Sequence, residues 1–335
     1  MGDLGLTPGE AVDGLRGRRV LVTGGLGFIG LNLVPALLDA GAHVRLLNRS
    51  AEPLALSWLD GLAAGRPLEV LQGDIVDSER MPRWLDGADV VVNLAGESGA
   101  VKSLQETHTD MQVNIAGHLN LLDTLRGMAA PPRSVFLSSR LVYGITGPVL
   151  TAETHPPQPT SLYGLHKLTV EHYHRIYRQH YGLPFTILRV TNPYGPYQLP
   201  HRRDYGVINR FLMTAVRGGT ITLFGGGPQL RDYIHVADLT AAILRASVDP
   251  RAEGETLNIG SGVSHGLGAV AERIVDLAGS GRIESVPWPE GYQKVETGDF
   301  HCDASRAERL LGWRAAIPLE DGLYDAVRRY RELLA

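Results

Sequence analysis

The chain predicts an α/β fold, a doubly wound parallel Rossmann-type sheet joined to a smaller C-terminal substrate-binding domain. Three observations predict it. The β-branched and leucine run Arg19–Thr23 ends in the glycine cluster Gly24-Gly25-Leu26-Gly27-Phe28-Ile29-Gly30, and a helical pattern (Ile29, Leu33, Leu37) follows at once. Strand and helix patterns then alternate through about Val190. Beyond that point the alternation loosens, with turn signals at Pro193, Pro196 and Gly225-Gly226-Gly227-Pro228. Residues 17–191 plus 232–258 are assigned to the dinucleotide-binding domain, and 192–231 plus 259–335 to the substrate-binding domain.

Residues 1–17 form a lead-in, with a helical turn or two around Pro8–Leu15. The turn Gly24, Gly27, Phe28, Ile29, Gly30 is the place where backbone N–H groups and a helix N-terminus hold a pyrophosphate. Pro35 lies inside the helix that follows and is expected to kink it. The second strand, from His43 to Leu47, ends at Asn48-Arg49-Ser50. An acid at that strand end binds a ribose 2′-hydroxyl, whereas arginine accommodates a 2′-phosphate. Here Asn48 stands without an acid and Arg49 is adjacent, which favours NADP over NAD; a solvated Arg49 is the plainer alternative.

The third strand, Leu68 to Gln72, leads to Gly73-Asp74-Ile75. Asp74 either bonds the adenine amino group or caps the following helix. The fourth strand, from Val90 to Leu94-Ala95, is apolar on both faces, as a buried parallel strand should be. It runs into the small-residue loop Gly96-Glu97-Ser98-Gly99 on the carboxyl edge. One long helix is expected from about Leu104 to Arg126, carrying Asn114. The fifth strand, Ser134 to Leu137, ends in Ser138-Ser139-Arg140-Leu141. A proline-rich loop then precedes Tyr163-Gly164-Leu165-His166-Lys167 at the head of a helix, and Phe185 to Arg189 is the sixth strand. Tyr233–Ser247 reads as a strand and helix returned to the first domain.

Composition narrows the function. The 335 residues are 44% hydrophobic and 20% charged, with a net charge of −4. That charge leaves no electrostatic footprint for nucleic acid or an anionic membrane. The single cysteine, Cys302, excludes an internal disulfide and a multi-cysteine metal site, and none of the 12 histidines falls in a metal-ligand pattern. No metal is expected. No apolar run approaches the roughly 20 residues that span a bilayer, and the first 16 residues do not read as a signal peptide. A cytoplasmic location is expected.

Tyr163 and Lys167, four apart, share one helix face. The pair alone reads equally as a solvated face. Its weight comes from Ser139, which ends a strand on the same sheet edge as the glycine turn. A phenol acts as a base near neutrality only if its pKa of about 10 falls toward 7, roughly 4 kcal/mol, a task for Lys167 and an oxidised nicotinamide. Ser139 would hydrogen-bond the reacting oxygen. His172 and His174 read as surface or packing residues. The loop His201-Arg202-Arg203 either grips a diphosphate or is solvated.

Together these motifs resemble the extended short-chain dehydrogenase/reductase family, the nucleotide-sugar epimerases and dehydratases. The resemblance runs through Thr23-Gly24-x-x-Gly27-x-x-Gly30, Gly73-Asp74, Asn93-Leu94-Ala95, Asn114, Ser139 and Tyr163-x-x-x-Lys167. It continues in Arg189-x-x-Asn192-x-Tyr194-Gly195-Pro196, Arg231-Asp232-Tyr233-Ile234-His235, Asn258-Ile259-Gly260-Ser261-Gly262 and Leu311-Gly312-Trp313. It implies that Tyr163 is the base, that Lys167 binds the nicotinamide ribose, and that Ser139 completes the catalytic set. It places Gly24, Gly27, Phe28, Ile29, Gly30, Asn48, Arg49, Ser50, Asp74, Ile75, Leu94, Ala95, Gly96, Asn114, Tyr163 and Lys167 around NAD or NADP. Asn192 and Arg231 would contact the substrate diphosphate, within a substrate set of Ser98, Ser139, Arg140, Asn192, Val207 and Arg231. The partner is a nucleoside-diphosphate sugar, and a homodimer through about 104–126 and 161–181 is implied.

Departures from the family pattern narrow the chemistry. Dehydratases acting at C4 and C6 carry Asp-Glu directly after the catalytic serine or threonine, where this chain has Arg140-Leu141. Decarboxylases of nucleotide-linked glucuronic acid carry a glutamate at the position of Leu141. Epimerases at C3 and C5 add a base near the sugar, and Cys302 is badly placed for that. What remains is redox chemistry at C4, either epimerisation by transient oxidation or NADPH-dependent reduction of a 4-keto sugar. A catalytically inactive cofactor-binding sensor is the remote alternative.

Overall fold

The computed structural model describes residues 13–201, 206–291 and 293–334. Its centre is a seven-stranded parallel sheet. The strand order is Thr256–Ile259, Phe185–Val190, Arg133–Ser139, Val90–Asn93, Arg19–Thr23, His43–Asn48, Leu68–Gln72. The middle strands are buried along their whole length in Val90–Asn93 and Phe185–Val190, because helices cover both faces of the sheet.

Connections reverse direction between Arg19–Thr23 and Val90–Asn93, which pair in register from Val20 opposite Val90 to Thr23 opposite Asn93. A crevice opens at such a switch point beyond the carboxyl ends of the strands. The same registers bring Thr23, Leu47 and Asn93, and then Ser139 and Val190, to one edge. Every candidate catalytic and cofactor residue sits on or just beyond that edge.

Among the described residues, five apolar clusters share the packing, and two of them matter most for the division of the chain. The larger gathers Val20, Val22, Leu31, Leu37, Val92, Val135, Leu188, Leu239, Ile243 and Trp313 around the central sheet. The smaller joins the helices Val207–Val216, Leu267–Ala278 and Leu319–Leu334 through Phe211, Leu212, Ile274, Leu323 and Tyr330. Asp238 ties the two regions: its carboxylate accepts from the N–H groups of Ala316 and Ile317, and its carbonyl accepts from the Trp313 indole.

Several expectations shift. Leu230–His235 does not return to the central sheet; it lies in a separate three-stranded sheet between Ser264–Gly266 and Asn192–Tyr194. Its Ile234 and its following helix, Val236–Val248, nevertheless pack on the main core. The seventh central strand is Thr256–Ile259, a four-residue run too short to show a period of its own.

The expected helix over 104–126 is broken into Ala100–Gln105, Thr107–Met111, a π-helical turn at Gln112–Gly117 and His118–Arg126. Glu106, at φ −119° and ψ 52°, leaves the helical region and makes the first break. The helix Phe28–Asp39 continues through Pro35, which removes a backbone donor without ending it. The lead-in reading falls on described residues only at Asp13–Leu15, a single 3₁₀ turn; Pro8–Val12, Arg202 and Arg203 lie outside the described residues.

Candidate active site

One cavity of about 620 Å³ follows the carboxyl edge of the sheet. It is lined from one end to the other by the glycine turn, Asn48, Arg49, Ser50, Asp74, Ile75, Leu94–Ser98, Ser139, Arg140, Tyr163, Lys167, Asn192, Val207 and Arg231. Asn114 lies directly behind its wall, fully buried.

The turn is shaped for close approach. Gly24 has φ +70°, where an L side chain is strained, and a Cβ there would also sit 3.0 Å from the Ala95 nitrogen. A Cβ on Gly30 would run into the Gly25 backbone. Thr23 braces the next loop: its hydroxyl donates to Asn93 Oδ1 (2.7 Å) and accepts from the Ala95 N–H (3.1 Å). Asn48 Oδ1 accepts from the Leu26 N–H at 2.8 Å, while its buried Nδ2 has no protein partner. Asn114 donates to the Glu97 carbonyl at 2.9 Å and leaves its own buried Oδ1 unpartnered. A bare glycine turn beside two orphaned polar atoms fits a dinucleotide, with the pyrophosphate at the turn.

Asp74 accepts from the Val76 N–H at 3.2 Å and lines the cavity as well. It caps a turn, not a helix.

Arg49 is not a free cation. Its Nη2 donates to Glu97 Oε1 at 2.9 Å, and Lys102 Nζ donates to the other Glu97 oxygen at 2.9 Å. Burial raises the Glu97 pKa, but the two cations outweigh it and hold the carboxyl below its usual range. Sequence reasoning placed Ser98 in the site and missed Glu97. The signal was one residue away, a carboxylate in the same small-residue loop.

The catalytic candidates meet at the middle of the cavity. Ser139 ends its strand, and its hydroxyl accepts from the Leu141 N–H at 3.2 Å, which caps the 3₁₀ turn Arg140–Val142. Tyr163 and Lys167 stand on the first two turns of Leu162–Tyr181, whose N-cap Ser161 accepts from the Gly164 N–H at 3.2 Å. The Tyr163 N–H is itself held by Ser103 Oγ at 3.1 Å. Lys167 Nζ donates to the Leu137 carbonyl at 2.9 Å and lies 5.8 Å from the centre of the Tyr163 ring.

Burial pushes the Tyr163 phenol up to about 12, and Asp110 adds to the rise; the Ser98 and Ser139 hydroxyls pull it back. Burial takes Lys167 down to about 8 against the opposing pull of Asp110 and Glu171. Without a nicotinamide the balance at the phenol is upward, and the expected fall calls on Lys167 together with an oxidised nicotinamide. Asp110 is engaged by His166 Nδ1 at 2.5 Å.

The substrate candidates line the far end. Asn192 donates to the Asp232 carbonyl (2.7 Å) and accepts from Arg140 Nε (3.3 Å). Arg231 donates to Glu296 and to the carbonyls of Gly298 and Leu230. Arg140 is buried, and burial followed by repulsion from Arg231 takes its pKa down to about 9. Glu296 and Thr297, from the closing segment, were not anticipated. Cys302 is buried with its thiol pushed well up by burial, out of nucleophilic range. Among the described residues no cluster of three or more metal-ligating side chains occurs, and no helix is long and apolar enough to cross a membrane.

The chain is similar to known proteins along most of its length. The NAD dependent epimerase/dehydratase family matches residues 20–260. A UDP-glucose 4-epimerase of Mycolicibacterium smegmatis is 31% identical over 318 residues, covering 93% of this chain and 98% of its own length. The crystal structure of the Thermotoga maritima UDP-glucose 4-epimerase with UDP-glucose superposes with a TM-score of 0.86 at 30% identity, covering 95% of this chain and 100% of that one. DesIV of Streptomyces venezuelae, a dTDP-glucose 4,6-dehydratase solved with NAD, gives 0.84 at 31% identity, covering 94% and 97%.

Proposed function

Because the chain belongs to the NAD dependent epimerase/dehydratase family of enzymes, we propose that it is a nucleoside-diphosphate-sugar 4-epimerase working with NAD. The observation that carries the reading is the meeting of Ser139, Tyr163 and Lys167 in one cavity with Arg140-Leu141 where an elimination would need an acid and a base. The relatives divide between 4-epimerases and 4,6-dehydratases, and this departure favours the former.

With the pyrophosphate held at the glycine turn, a bound dinucleotide would supply a two-electron acceptor and donor through its nicotinamide. Tyr163 takes the proton of the ring hydroxyl as C4 is oxidised and returns it when C4 is reduced on the opposite face. Ser139 donates to the reacting oxygen at each stage. Lys167, held by the Leu137 carbonyl, fixes positive charge beside the phenol ring. From about 12 to neutrality is roughly 7 kcal/mol, so the phenol becomes a base only when a cation joins it in the cavity. Arg231 and Asn192 face the diphosphate, and 17–191 plus 232–258 hold the cofactor while 192–231 plus 259–335 chiefly hold the sugar nucleotide.

NAD is favoured over NADP by the Arg49–Glu97 pair, which occupies the guanidinium and sets a carboxylate where a 2′-phosphate would bring more negative charge. The absence of an acid at Asn48 supports the NADPH-dependent 4-keto-sugar reductase instead. A homodimer through residues 104–126 and 161–181 is supported by Leu104, Met111, Leu165 and Ile176, apolar and each 45–49% exposed on those helices; light scattering reads it directly.

The deciding experiment is to denature freshly purified protein and quantify the nucleotide released. Stoichiometric NAD supports a closed epimerase cycle. Empty protein that binds NADPH reversibly makes the reductase the better account.

A further inference from the structure

A buried guanidinium beside the catalytic serine has no anionic partner. Arg140 follows Ser139 directly, lines the same cavity and is 8% exposed. Its protein contacts are neutral: Nε donates to Asn192 Oδ1 (3.3 Å), Nη1 donates to Thr297 Oγ1 (3.0 Å), and the group lies 5.3 Å from the centre of the Phe300 ring. Among the described residues it makes no ion pair and its Nη2 makes no hydrogen bond.

The neighbouring charges do not supply what it lacks. Glu296 is taken by Arg231. Asp232 is turned away into the Ser261 and Gly262 N–H groups and the Thr191 hydroxyl. The Tyr233 hydroxyl, in electrostatic reach of both arginines, is buried without a partner. The far end of the cavity therefore offers two guanidinium groups against one engaged carboxylate. Burying an unpaired charge is costly unless a ligand compensates it. A planar guanidinium with free N–H groups matches a carboxylate by two parallel bonds.

A diphosphate already has Arg231 and Asn192. Arg140 springs from the backbone next to Ser139, which faces the ring carbon that reacts. Its anion is thus expected on the ring, not on the diphosphate.

Resting on the nucleotide-sugar reading above, we propose that Arg140 binds a carboxylate carried by the sugar ring, so that the substrate is a nucleoside-diphosphate uronic acid and not a neutral hexose. Thr297 and Asn192 hold the guanidinium in place for it. Leu141, where a general acid or base would otherwise stand, leaves that carboxylate unreacted.

The test is calorimetric titration of the NAD-loaded full-length protein with UDP, UDP-glucose and UDP-glucuronate, repeated with dTDP and dTDP-glucose to cover the base. Wild type should bind UDP-glucuronate at least tenfold more tightly than UDP-glucose. Arg140→Met should remove that preference and leave UDP affinity within about twofold, and Arg140→Lys should retain part of the preference. Equal binding of the two sugars by wild type overturns the proposal whatever the variants do. A parallel loss of UDP binding in Arg140→Met overturns it too, by assigning Arg140 to the diphosphate. If no nucleotide or sugar nucleotide binds, the nucleotide-sugar reading itself fails. If the diphosphates bind and the uronate does not improve on the neutral sugar, only the carboxylate is lost.

Discussion

Arg189 grips Glu171 through two bonds beneath the catalytic edge, Nε to Oε1 at 2.9 Å and Nη2 to Oε2 at 2.6 Å, with both side chains at most 4% exposed. Ser138, the residue before Ser139, donates to Glu171 Oε1 at 2.6 Å. Arg189 reaches on to the Tyr143 hydroxyl (3.0 Å), which donates to Asn258 (2.6 Å). One buried network thus fixes the end of the Ser139 strand, the Tyr163 helix and the last two strands of the sheet.

Removing the carboxylate leaves a guanidinium buried without its partner. Glu171→Gln should cost about 3–5 kcal/mol of stability, read as a fall in the urea midpoint. Burial alone would raise the Glu171 pKa, but Arg189, Ser138 and Arg175 together hold it below its ordinary value. Its contribution is therefore complete above the unfolded carboxylate range and is lost as pH falls through the lower folded value. The variant should lose that part of the acid dependence. An unchanged urea midpoint would contradict the role given to the pair.

Tyr163→Phe tests the chemistry. The substitution removes only a hydroxyl that donates or accepts at the reacting oxygen. Turnover should fall by about 10²–10⁴-fold, while cofactor affinity, measured by calorimetry, stays within a factor of a few. Turnover at the wild-type level would end the assignment of Tyr163 as the base. In the active enzyme, Asp110→Asn should move the acid limb of the pH–rate profile to lower pH, because Asp110 raises the phenol.

The cofactor half of the site was legible because its demands fall on local chain. A tight turn needs Gly24 and Gly30 at fixed spacing, and a helix face needs Tyr163 and Lys167 four apart. The alternation of period-2 and helical runs located six of the seven central strands. What escaped is set by distance. Glu97 matters because residue 49 lies across the cavity from it, and Glu296 matters because it meets Arg231, 65 positions earlier. The Leu230–His235 strand looks like any central strand; its place in the smaller sheet is decided by pairing with Asn192–Tyr194 and Ser264–Gly266. The π turn at Gln112–Gly117 leaves no pattern in residue type, since one extra residue per turn is a property of backbone and packing.

His174 predicts how the fold responds to acid. It stacks on Phe136 at 5.1 Å between ring centres, packs edge-on to Phe185, and its Nδ1 donates to the Val170 carbonyl at 2.9 Å. Burial lowers its pKa to about 4, so the folded state holds it neutral where the unfolded chain would protonate it. Its stabilisation is complete above about 6.5 and is lost as pH falls toward 4, about 3 kcal/mol for this residue. Chemical denaturation at pH 7, 6, 5 and 4 should show a steep fall through that interval. His174→Phe should flatten it. An equally steep curve in the variant would move the effect to His118 and His235, which burial also holds down.

Glu97 sets the last prediction, on cofactor choice. Its carboxylate joins Arg49, just beyond the second strand, to Lys102 in the helix Ala100–Gln105, and all three line the cofactor end of the cavity. A ribose 2′-phosphate brought there adds negative charge next to a carboxylate and finds both nearby cations already engaged. Glu97→Gln removes one negative charge and releases Arg49, while Lys102 keeps Glu106 at 3.9 Å. NADPH affinity should rise several-fold relative to NADH, a difference of about 1 kcal/mol for one partly exposed charge, measured by fluorescence titration of the reduced cofactors. Arg49→Ala in the Glu97→Gln background should cancel most of the gain, because the freed guanidinium is what would hold the phosphate. Equal changes for the two cofactors would show that this bridge lies outside the reach of the 2′ position and plays no part in choosing between them.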